Sequence, residues 1–494
     1  MYIDLLLIVI LLIPAAIVLG SWLWSSAHRD SQRKSTAKTL EQNTFENYIN
    51  RITGLLLERN LSATNEDDEI RTIARALTAN ALRNVNAERK GLIVHFLYDS
   101  SLLNVGAPVI NLRMLDLARA DLSRFHLSEA GLQGAQLTEA KLEEADLSLS
   151  DLRAAELSGA NLSKAKLTGA YLRGANLQNA DFSNAEMAGV TLSKANLSGA
   201  NLEGANLENA NFNESDLSGA NLKGANMRGV KLRNAILVKA NLEGANLNMA
   251  NLHHADLSEA ELALSMFNGA NLSNAKAENV KSRKASYSGA VMNDISMVGS
   301  DLRMADLSMA NLRGASLNAV NLQDGQLRDA ILGRANLSGA VLKGAKLNRA
   351  NLSLANLRGA DLSKAILEDT GLSGADLRST ILRGANCRGS VLRGAILGGA
   401  DLSNSNLRMA NLRWANLTNA RLRGADLSKA DLSEAEVTNE QLATAKSLEN
   451  AVMPDVTAPI KQRAVGETLI QEQTSSSDKV QDVSEVSTEE ERAS

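Results

Sequence analysis

From Leu112 to Val437 the sequence repeats every five residues without a change of register. Each pentapeptide has a central residue, and Leu occupies 54 of the 66 central positions. Ala occupies 49 of the 66 positions that lie two residues before a central residue. An α-helix buries residues with a period of about 3.6 and a β-strand with a period of about 2, so neither element can bury this set on one face. The chain must fold into a structure that itself repeats every five residues.

The repeated units share a motif in which Asn or Asp separates the Ala from the central Leu. Examples are Ala200-Asn-Leu-Glu-Gly and Ala425-Asp-Leu-Ser-Lys. This pattern resembles the pentapeptide-repeat family, whose motif is written A-(D/N)-L-x-x. The resemblance implies a mainly β fold, a right-handed quadrilateral parallel β-helix in which one pentapeptide forms each side of a square and four form a coil. Residues 109–437 are therefore expected to form about 16 coils, with Leu and Ala pointing inward.

The distribution of acidic residues tests a coil of twenty residues. Residues twenty apart would stack about 4.8 Å apart, where two carboxylates repel. Asp or Glu fills 18 of the 66 positions before a central residue, and no two of them are separated by 20. Pairs separated by 25 do occur, as in Asp121 with Asp146. The Asn residues between the acids are predicted to form ladders of side-chain amides.

The N-terminal segment 1–24 is predicted to be a transmembrane anchor. The run Leu5–Trp24 contains 20 residues without a charge, which is enough to cross a bilayer core as a helix. Trp22 and Trp24 end the run, where indole rings favour the headgroup zone. A cleaved signal peptide is the alternative, but the run lacks a preceding basic residue and a small-residue cleavage site.

Residues 25–38 are predicted to form a basic juxtamembrane linker that contains Arg29, Arg33, Lys34 and Lys38. By the positive-inside rule these cations predict a single-pass protein whose bulk is cytoplasmic, on a plasma or thylakoid membrane. The residues expected at the membrane interface are Trp22, Trp24, Arg29, Arg33 and Lys34.

Residues 39–108 are predicted to form a small helical domain with three helices. The second helix follows Glu66-Asp67-Asp68 and is expected to bury one stripe of apolar residues. The third helix contains a further apolar cluster. Such a domain either caps the open edge of the β-helix or forms a helix pair for dimerisation or partner binding; the cap is favoured. The segment with His95-Phe-Leu-Tyr is similar to segments before the repeats in bacterial, especially cyanobacterial, members of the family. The stripe of the second helix comprises Ile70, Ile73, Leu77 and Leu82, and the cluster of the third Leu92, Ile93, Phe96 and Leu97.

Two short segments follow the repeats. Thr438-Asn-Glu-Gln441 has the pattern of a capping box and predicts a C-terminal helical cap over 438–453, with Leu442, Ala445 and Leu448 on one face. Residues 454–494 contain few large apolar residues and an excess of acids, which predicts a disordered acidic tail.

The sequence offers no catalytic, metal or cofactor site, so we predict a protein that is not an enzyme and that binds no cofactor. None of the five histidines has metal-ligand spacing to Cys or acidic residues, and His253-His254 is expected on the solvated surface. Cys387 occupies a central position, where a buried inert thiol is expected.

The stretch 276–300 keeps the register but changes the core. Its central residues include Ala277, Ser282 and Tyr287 in place of Leu. Compensation among neighbouring side chains is the favoured interpretation, and a bulge or kink that exposes a partner site is the alternative.

A charge gradient gives the candidate interaction surface. Residues 111–275 contain 14 basic and 19 acidic residues, whereas residues 276–444 contain 22 basic and 16 acidic ones. A basic stripe on a repeat protein can attract an acidic protein, anionic lipid or nucleic acid, although a mixed solvated surface also fits. The residues that form this candidate surface are Arg283, Arg303, Lys343, Arg383, Arg388, Arg393 and Arg423.

The predicted function is that of a membrane-anchored scaffold that binds a protein partner, because solenoids present extended surfaces without a fixed pocket. The alternative is a DNA mimic that modulates a topoisomerase, as some pentapeptide-repeat proteins do. Mimicry requires runs of negative charge, whereas the 36 basic and 35 acidic residues of 111–444 nearly balance. The sequence disfavours nucleic acid as a partner and does not fix the oligomeric state.

Overall fold

The computed structural model describes residues 32, 34, 36–65, 68–103 and 108–454. Two compact units are distinguished, Met1–Met453 and Pro454–Ser494. Only Pro454 of the second unit is described, so the predicted tail lies outside the described residues. The fold below is that of the first unit.

A parallel β-helix with coils of twenty residues forms most of this unit. Single-residue bridges join each coil to the next, from Asp116 with Gln136 to Asn416 with Glu436, always with a spacing of 20. The amide of Leu202 donates to the carbonyl of Asn221 at 2.6 Å, and the amide of Asn221 donates to the carbonyl of Ala200 at 2.9 Å. Four pentapeptides therefore make one coil, and the predicted coil length is confirmed.

A tight turn follows each bridge and makes one corner of the square. In the first full coil the amide of Ala120 donates to the carbonyl of Leu117 at 3.0 Å. The third residue of this turn, Arg119, has a φ of 60°, and a type II turn requires a positive φ at this position. Glycine suits this position because it lacks a Cβ, and other residues there cost about 1 kcal/mol. The turns limit each paired segment to one residue, so the coil has four short sides.

The interior is filled by the central residues and by the residues two positions earlier. Leu202, Leu222 and Leu242 are fully buried, and the bridges between Asn201, Asn221 and Asn241 stack them one above another. Burying a leucine contributes about 1.5–3 kcal/mol. The predicted inward columns of Leu and Ala are confirmed.

Asparagine ladders run along the outside, as predicted. The amide of Asn221 donates to Asn201 at 3.1 Å, and Asn241 donates to Asn221 at 3.2 Å. Similar bonds join Asn226 to Asn206, Asn246 to Asn226, Asn356 to Asn336 and Asn406 to Asn386.

The irregular stretch 276–300 keeps its place in the β-helix. Its bridges continue with a spacing of 20, so no bulge or kink interrupts the ladder. The ring of Tyr287 stacks on Phe267 with centroids 4.9 Å apart, and its hydroxyl lies 2.6 Å from that of Ser282. The small Ala277 and Ser282 make room for these rings, which agrees with the compensation expected from the sequence.

Three helices precede the β-helix. The helix α1 covers 36–59, a 3₁₀ turn follows at Leu61–Ala63, and the other two are α2 (Glu69–Asn84) and α3 (Ala87–Asp99). Asp68 and Asn86 cap α2 and α3 by accepting bonds from the amides of Ile70 and Arg89.

The predicted apolar stripe of α2 is wrong in part. Ile73 is 50% exposed. Leu92, which belongs to the apolar cluster predicted for α3, is also nearly half exposed. The buried face of α2 consists mainly of small residues, which allow helices to approach closely. Its members are Arg71, Ala74, Thr78, Ala81 and Leu82.

The helix α3 lies against the first coil of the β-helix. A Cβ added to Gly91 would collide with the carbonyl oxygen of Asp121. The neighbouring Lys90, whose side chain is nearly buried, contacts Asp116 at 2.6 Å. This packing supports the cap rather than a free helix pair, because an open sheet edge needs cover.

The C-terminal end differs from the predicted helical cap. The helix α4 spans only Asn439–Leu442, although Thr438 and Gln441 do form the expected capping box. Ala445 and Leu448 lie outside α4, because the chain returns to the β-helix. Ser447 pairs with Asp426 and Val452 with Asp431, each at a spacing of 21. The side-chain amide of Gln441 donates to the carbonyls of Leu417 and Ala420 at 2.7 and 2.8 Å, where the next bridge would have formed.

In the described part of the chain, no helix is long and apolar enough to cross a membrane. The predicted anchor 1–24 lies outside the described residues, as do Trp22, Trp24, Arg29 and Arg33. Lys34 is described and is exposed.

Candidate interaction surface

The solvent-facing residues form vertical columns because each coil stacks on the last. Residues separated by multiples of twenty share a column, and residues five apart lie on successive corners or sides. We call the corner that contains Arg283, Lys284 and all residues twenty apart from them the Arg283 corner. From 123 to 424 this corner carries ten basic and five acidic residues.

The structure divides the seven predicted residues among three corners. Arg388 lies on the next corner along the chain, and Arg393 lies on the corner after that. These two residues are therefore not part of the same surface as the others. The five that share the Arg283 corner are Arg283, Arg303, Lys343, Arg383 and Arg423.

Two of the five are engaged by carboxylates. Arg303 binds Asp301 through two bonds, with Nε 2.8 Å from Oδ1. The Nε of Arg383 donates to Asp401 at 2.8 Å. Hydrogen bonding by the Arg303 guanidinium lowers the pKa of Asp301 below its usual value. The carboxylates partly neutralise the charges of these two arginines, so they attract an anionic partner less strongly than unpaired cations do.

The other three of the five predicted residues are not engaged in close ion pairs. Within the described residues, Arg283, Lys343 and Arg423 are exposed and make no ion pair with a carboxylate. Exposed, unpaired cations lose little on meeting an anionic partner, since no existing ion pair has to break. They form the part of the predicted surface best suited to an acidic ligand.

One column of this corner is acidic closer to the N-terminus. Glu143, Glu203 and Glu243 occupy the column that later holds Arg283. Lys223 pairs with Glu243 at 3.2 Å, so the change of sign is gradual. This column is thus polarised along its length.

The groups considered for chemistry are held in unreactive environments. Cys387 is buried, and burial raises the pKa of its thiol to about 12, which keeps it protonated. The rings of His253 and His254 lie 4.1 Å apart on the surface, and Nδ1 of His253 contacts the carbonyl of Ser273. Across the described ranges, no group of three or more His, Cys, Asp and Glu side chains could hold a metal ion.

Trp414 was not among the residues predicted for this surface. Trp414 is 45% exposed, and the guanidinium carbons of Arg393 and Arg413 lie 4.2 and 5.1 Å from the centre of its ring. Aligning the sequence in rows of twenty would have revealed it, since that alignment places Arg393 beside Arg413 and Trp414.

The sequence model of the family described as pentapeptide repeats matches more than half of the chain. The longest unmatched gap between its matches, 282–294, falls in the irregular stretch around Tyr287. The matched residues are 116–153, 155–193, 195–234, 225–262, 235–274, 250–281, 295–334, 335–370, 372–408 and 410–439. A comparison with curated proteins gave no match.

Solved structures of pentapeptide repeat proteins are similar to this chain. HetL, from the cyanobacterium Nostoc sp. strain PCC 7120 and involved in heterocyst differentiation regulation, is 33% identical over 51% of this chain and 88% of its own, with a TM-score of 0.24. Rfr23 from the cyanobacterium Cyanothece 51142 is 41% identical over 22% of this chain and 63% of its own, with a TM-score of 0.10. A trypsin-treated variant of QnrB1, a plasmid-mediated fluoroquinolone resistance protein, is 19% identical over 37% of this chain and 90% of its own, with a TM-score of 0.27.

Proposed function

This chain belongs to the pentapeptide-repeat family, and from that premise we propose that it is a non-catalytic, membrane-anchored scaffold that binds a protein partner on the outside of its right-handed β-helix. The observation that carries the proposal is the filled interior. Leu and Ala columns occupy the inside of the coils and are almost completely buried. Binding must therefore use the outer surface, as in other solenoids.

The proposed partner surface is the Arg283 corner. Arg283, Lys343 and Arg423 are exposed, and within the described residues none of them makes a close ion pair with a carboxylate. Cations held at fixed intervals on a rigid scaffold favour an acidic protein by speeding encounter and fixing its register. An acidic, extended protein segment is the partner chemistry that this corner fits best.

The proposed location is a plasma or thylakoid membrane, with a single N-terminal anchor and the β-helix on the cytoplasmic side. The uncharged run Leu5–Trp24 and the cations that follow it support this placement. A fixed anchor would hold the scaffold at one distance from the bilayer and present its columns to partners there.

Proximity labelling in the native cell tests the scaffold. A labelling enzyme is fused to the full chain and to a version lacking residues 1–38. We expect the full chain to label membrane-associated proteins that the truncated chain does not label. Equal labelling by both versions would contradict the anchor.

A matched pair of variants tests the partner surface in the same experiment. The triple variant Arg283→Gln, Lys343→Gln and Arg423→Gln should lose the principal acidic partner. Removing three cations from another corner, by Arg173→Gln, Arg233→Gln and Arg313→Gln, should leave it bound. Equal labelling by both triple variants, or inhibition of DNA gyrase by the purified protein, would overturn the proposal.

A further inference from the structure

The exposed apolar residues of the β-helix are concentrated on one side. We call the side whose bridge residues share a column with Tyr171 the Tyr171 side. It lies between the Met249 corner, formed by the columns through residues 248 and 249, and the Trp414 corner, formed by the columns through residues 413 and 414. Of the 16 exposed large hydrophobic residues from Met114 to Trp414, 11 lie on this side and its two corners.

These residues recur along the whole length of the side. Met249 is 66% exposed, and Met309 and Met409 follow it on the same corner after three and five further coils. Leu149 also lies on this corner, and the remaining members stand on the side itself or on the Trp414 corner. The full set is Met114, Leu149, Tyr171, Met249, Val291, Met309, Ile331, Leu354, Val391, Met409 and Trp414.

The Trp414 corner is also strongly basic. From 113 to 434 it carries nine basic and three acidic residues. The column of residue 413 contains seven arginines and no acidic residue, and these are Arg113, Arg153, Arg173, Arg233, Arg313, Arg393 and Arg413. A row of arginines therefore borders the apolar side from end to end.

Four of these seven arginines have no polar side-chain partner in the described residues. They are Arg173, Arg233 and Arg313, which are exposed, and Arg393, which contacts the ring of Trp414. Arg413 also contacts this ring but lies 3.8 Å from Asp431, Arg153 binds Asp151, and Arg113 donates to Gln133. Stacking on an aromatic ring leaves the N–H groups at the edge of a guanidinium free to bind phosphate oxygens.

We propose that the Tyr171 side, with its two bounding corners, lies against the surface of a membrane that contains anionic lipids. Arginine beside exposed Trp, Met and Leu is the composition of surfaces that bind in the interfacial zone, where apolar side chains enter the headgroup region and cations meet lipid phosphates. The proposal goes beyond the single anchor, because it assigns a second membrane contact to the β-helix itself.

The spacing of the apolar residues favours a bilayer over a protein partner. Protein interfaces gather their main binding residues in a central cluster that fits pockets on the partner. Here single apolar side chains are spread over the fifteen coils between Met114 and Trp414. A fluid bilayer accepts such separated side chains without matching pockets.

This orientation is compatible with the proposed partner surface. The Arg283 and Trp414 corners are diagonally opposite, because residues ten apart lie two corners away in a coil of twenty. With the Tyr171 side on the bilayer, Arg283 would face away from it. The inference uses the proposed membrane location, and an anchor would promote the contact by raising the effective concentration of the side at the surface.

Trp414 provides a direct test, since the chain contains only three tryptophans. In full-length protein carrying Trp22→Phe and Trp24→Phe, Trp414 is the sole indole. This protein is reconstituted into vesicles of phosphatidylcholine alone, or of equal parts phosphatidylcholine and phosphatidylglycerol, each with brominated acyl chains as quencher. We expect quenching of Trp414 in the anionic vesicles and little in the neutral ones. High salt should abolish it, because salt screens the attraction.

Two triple variants in the same background locate the surface. Arg173→Gln, Arg233→Gln and Arg313→Gln should lower the fraction of protein with quenched Trp414. The equilibrium constant for contact between the Tyr171 side and an anionic bilayer should fall on the order of a hundredfold. Arg283→Gln, Lys343→Gln and Arg423→Gln removes the same charge from the opposite corner and should have little effect.

The outcomes separate this inference from the anchor. Failure of the protein to float with neutral vesicles would count against the anchor alone. Flotation without quenching in anionic vesicles, or equal loss of quenching in both triple variants, would overturn the membrane-facing side. Quenching that is equal in neutral and anionic vesicles would also overturn it.

Discussion

The hydroxyl groups of Ser282 and Tyr287 contact each other inside the β-helix at 2.6 Å. Both side chains are fully buried, and burial raises the pKa of the tyrosine hydroxyl, so the pair stays neutral. A buried hydroxyl costs free energy unless it is hydrogen-bonded. The two substitutions, in neighbouring Leu columns, are therefore tolerated together, since each residue supplies the partner that the other needs.

Substitutions at this pair should be strongly non-additive. Tyr287→Phe or Ser282→Ala alone leaves one buried hydroxyl without a partner and should cost about 1–3 kcal/mol. The double variant removes both hydroxyls and should recover much of that loss. Hydrogen exchange of amides in 277–297 measures the local stability, and additive costs would contradict the argument.

The pairing of Arg303 with Asp301 predicts a small dependence of stability on pH. Because the arginine lowers the pKa of Asp301 in the folded chain, the pair stabilises the fold above the ordinary carboxyl pKa of 3.8. That contribution is lost as the pH falls through the lowered pKa of Asp301.

Arg303→Gln should therefore lower stability at neutral pH only slightly, since both side chains are partly exposed and solvent screens their attraction. The difference from the unsubstituted protein should vanish in acid. Urea unfolding at several pH values measures it, with Lys343→Gln as the control that breaks no ion pair. A difference that persists at the lowest pH would contradict the assignment.

At the scale of elements, the junction between α3 and the first coil depends on one residue without a side chain. Gly91 lies so close to the carbonyl of Asp121 that a Cβ has no room. A helix can cover the edge of the β-helix at this distance only if glycine faces the coil. Helical periodicity alone does not reveal that constraint.

Gly91→Ala should loosen the helical domain from the β-helix. The added methyl group overpacks the junction, at a cost of about 1–3 kcal/mol. Gly54→Ala is the matched control, because a Cβ there meets nothing within 4 Å and alanine favours the helix α1 by about 0.5–1 kcal/mol. Limited proteolysis of 39–103 should accelerate in the first variant and not in the second. Unchanged proteolysis of Gly91→Ala would show that α3 does not depend on this contact.

The final coil shows how a small insertion is absorbed. Between Glu436 and Ser447 the chain gains one residue relative to the repeat, and α4 replaces the missing bridge. Gln441 binds two carbonyls of the preceding coil and so satisfies backbone groups that the ladder would otherwise leave open. The sequence signalled the capping box, but not the return of the chain to the β-helix, because Leu448 is out of phase with the repeat.

For the whole molecule, the coil of twenty residues decides which surface residues lie together. Stability in such a solenoid comes from neighbouring coils, so the number of coils can change without loss of the fold. The alignment of columns is more sensitive. A deletion whose length is a multiple of five but not of twenty keeps the inward residues buried, but it moves all later surface residues to another corner or side of the coil.

Two deletions separate fold from surface alignment. Removing residues 311–330 takes out one coil and keeps every column aligned, whereas removing 311–320 turns the distal columns by half a turn. We expect both variants to fold with similar thermal midpoints. With Trp414 as the sole tryptophan, the shorter deletion should strongly reduce quenching by brominated anionic vesicles, since it places Val391, Met409 and Trp414 opposite the proximal apolar residues. Equal quenching in the two variants would show that a continuous side is not required.

The sequence by itself determined the repeat, the inward columns and the coil length. Leu at every fifth position can be buried only by a chain that turns after every fifth residue, and the spacing of acids reported the stacking distance because like charges repel at short range. The tertiary structure decided what depends on contacts between distant residues: the docking of α3 on Gly91, the pairing that engages Arg303 and leaves Arg283 free, and the insertion at α4. It also decided that the exposed apolar residues share one side, since a side exists only after successive coils have stacked.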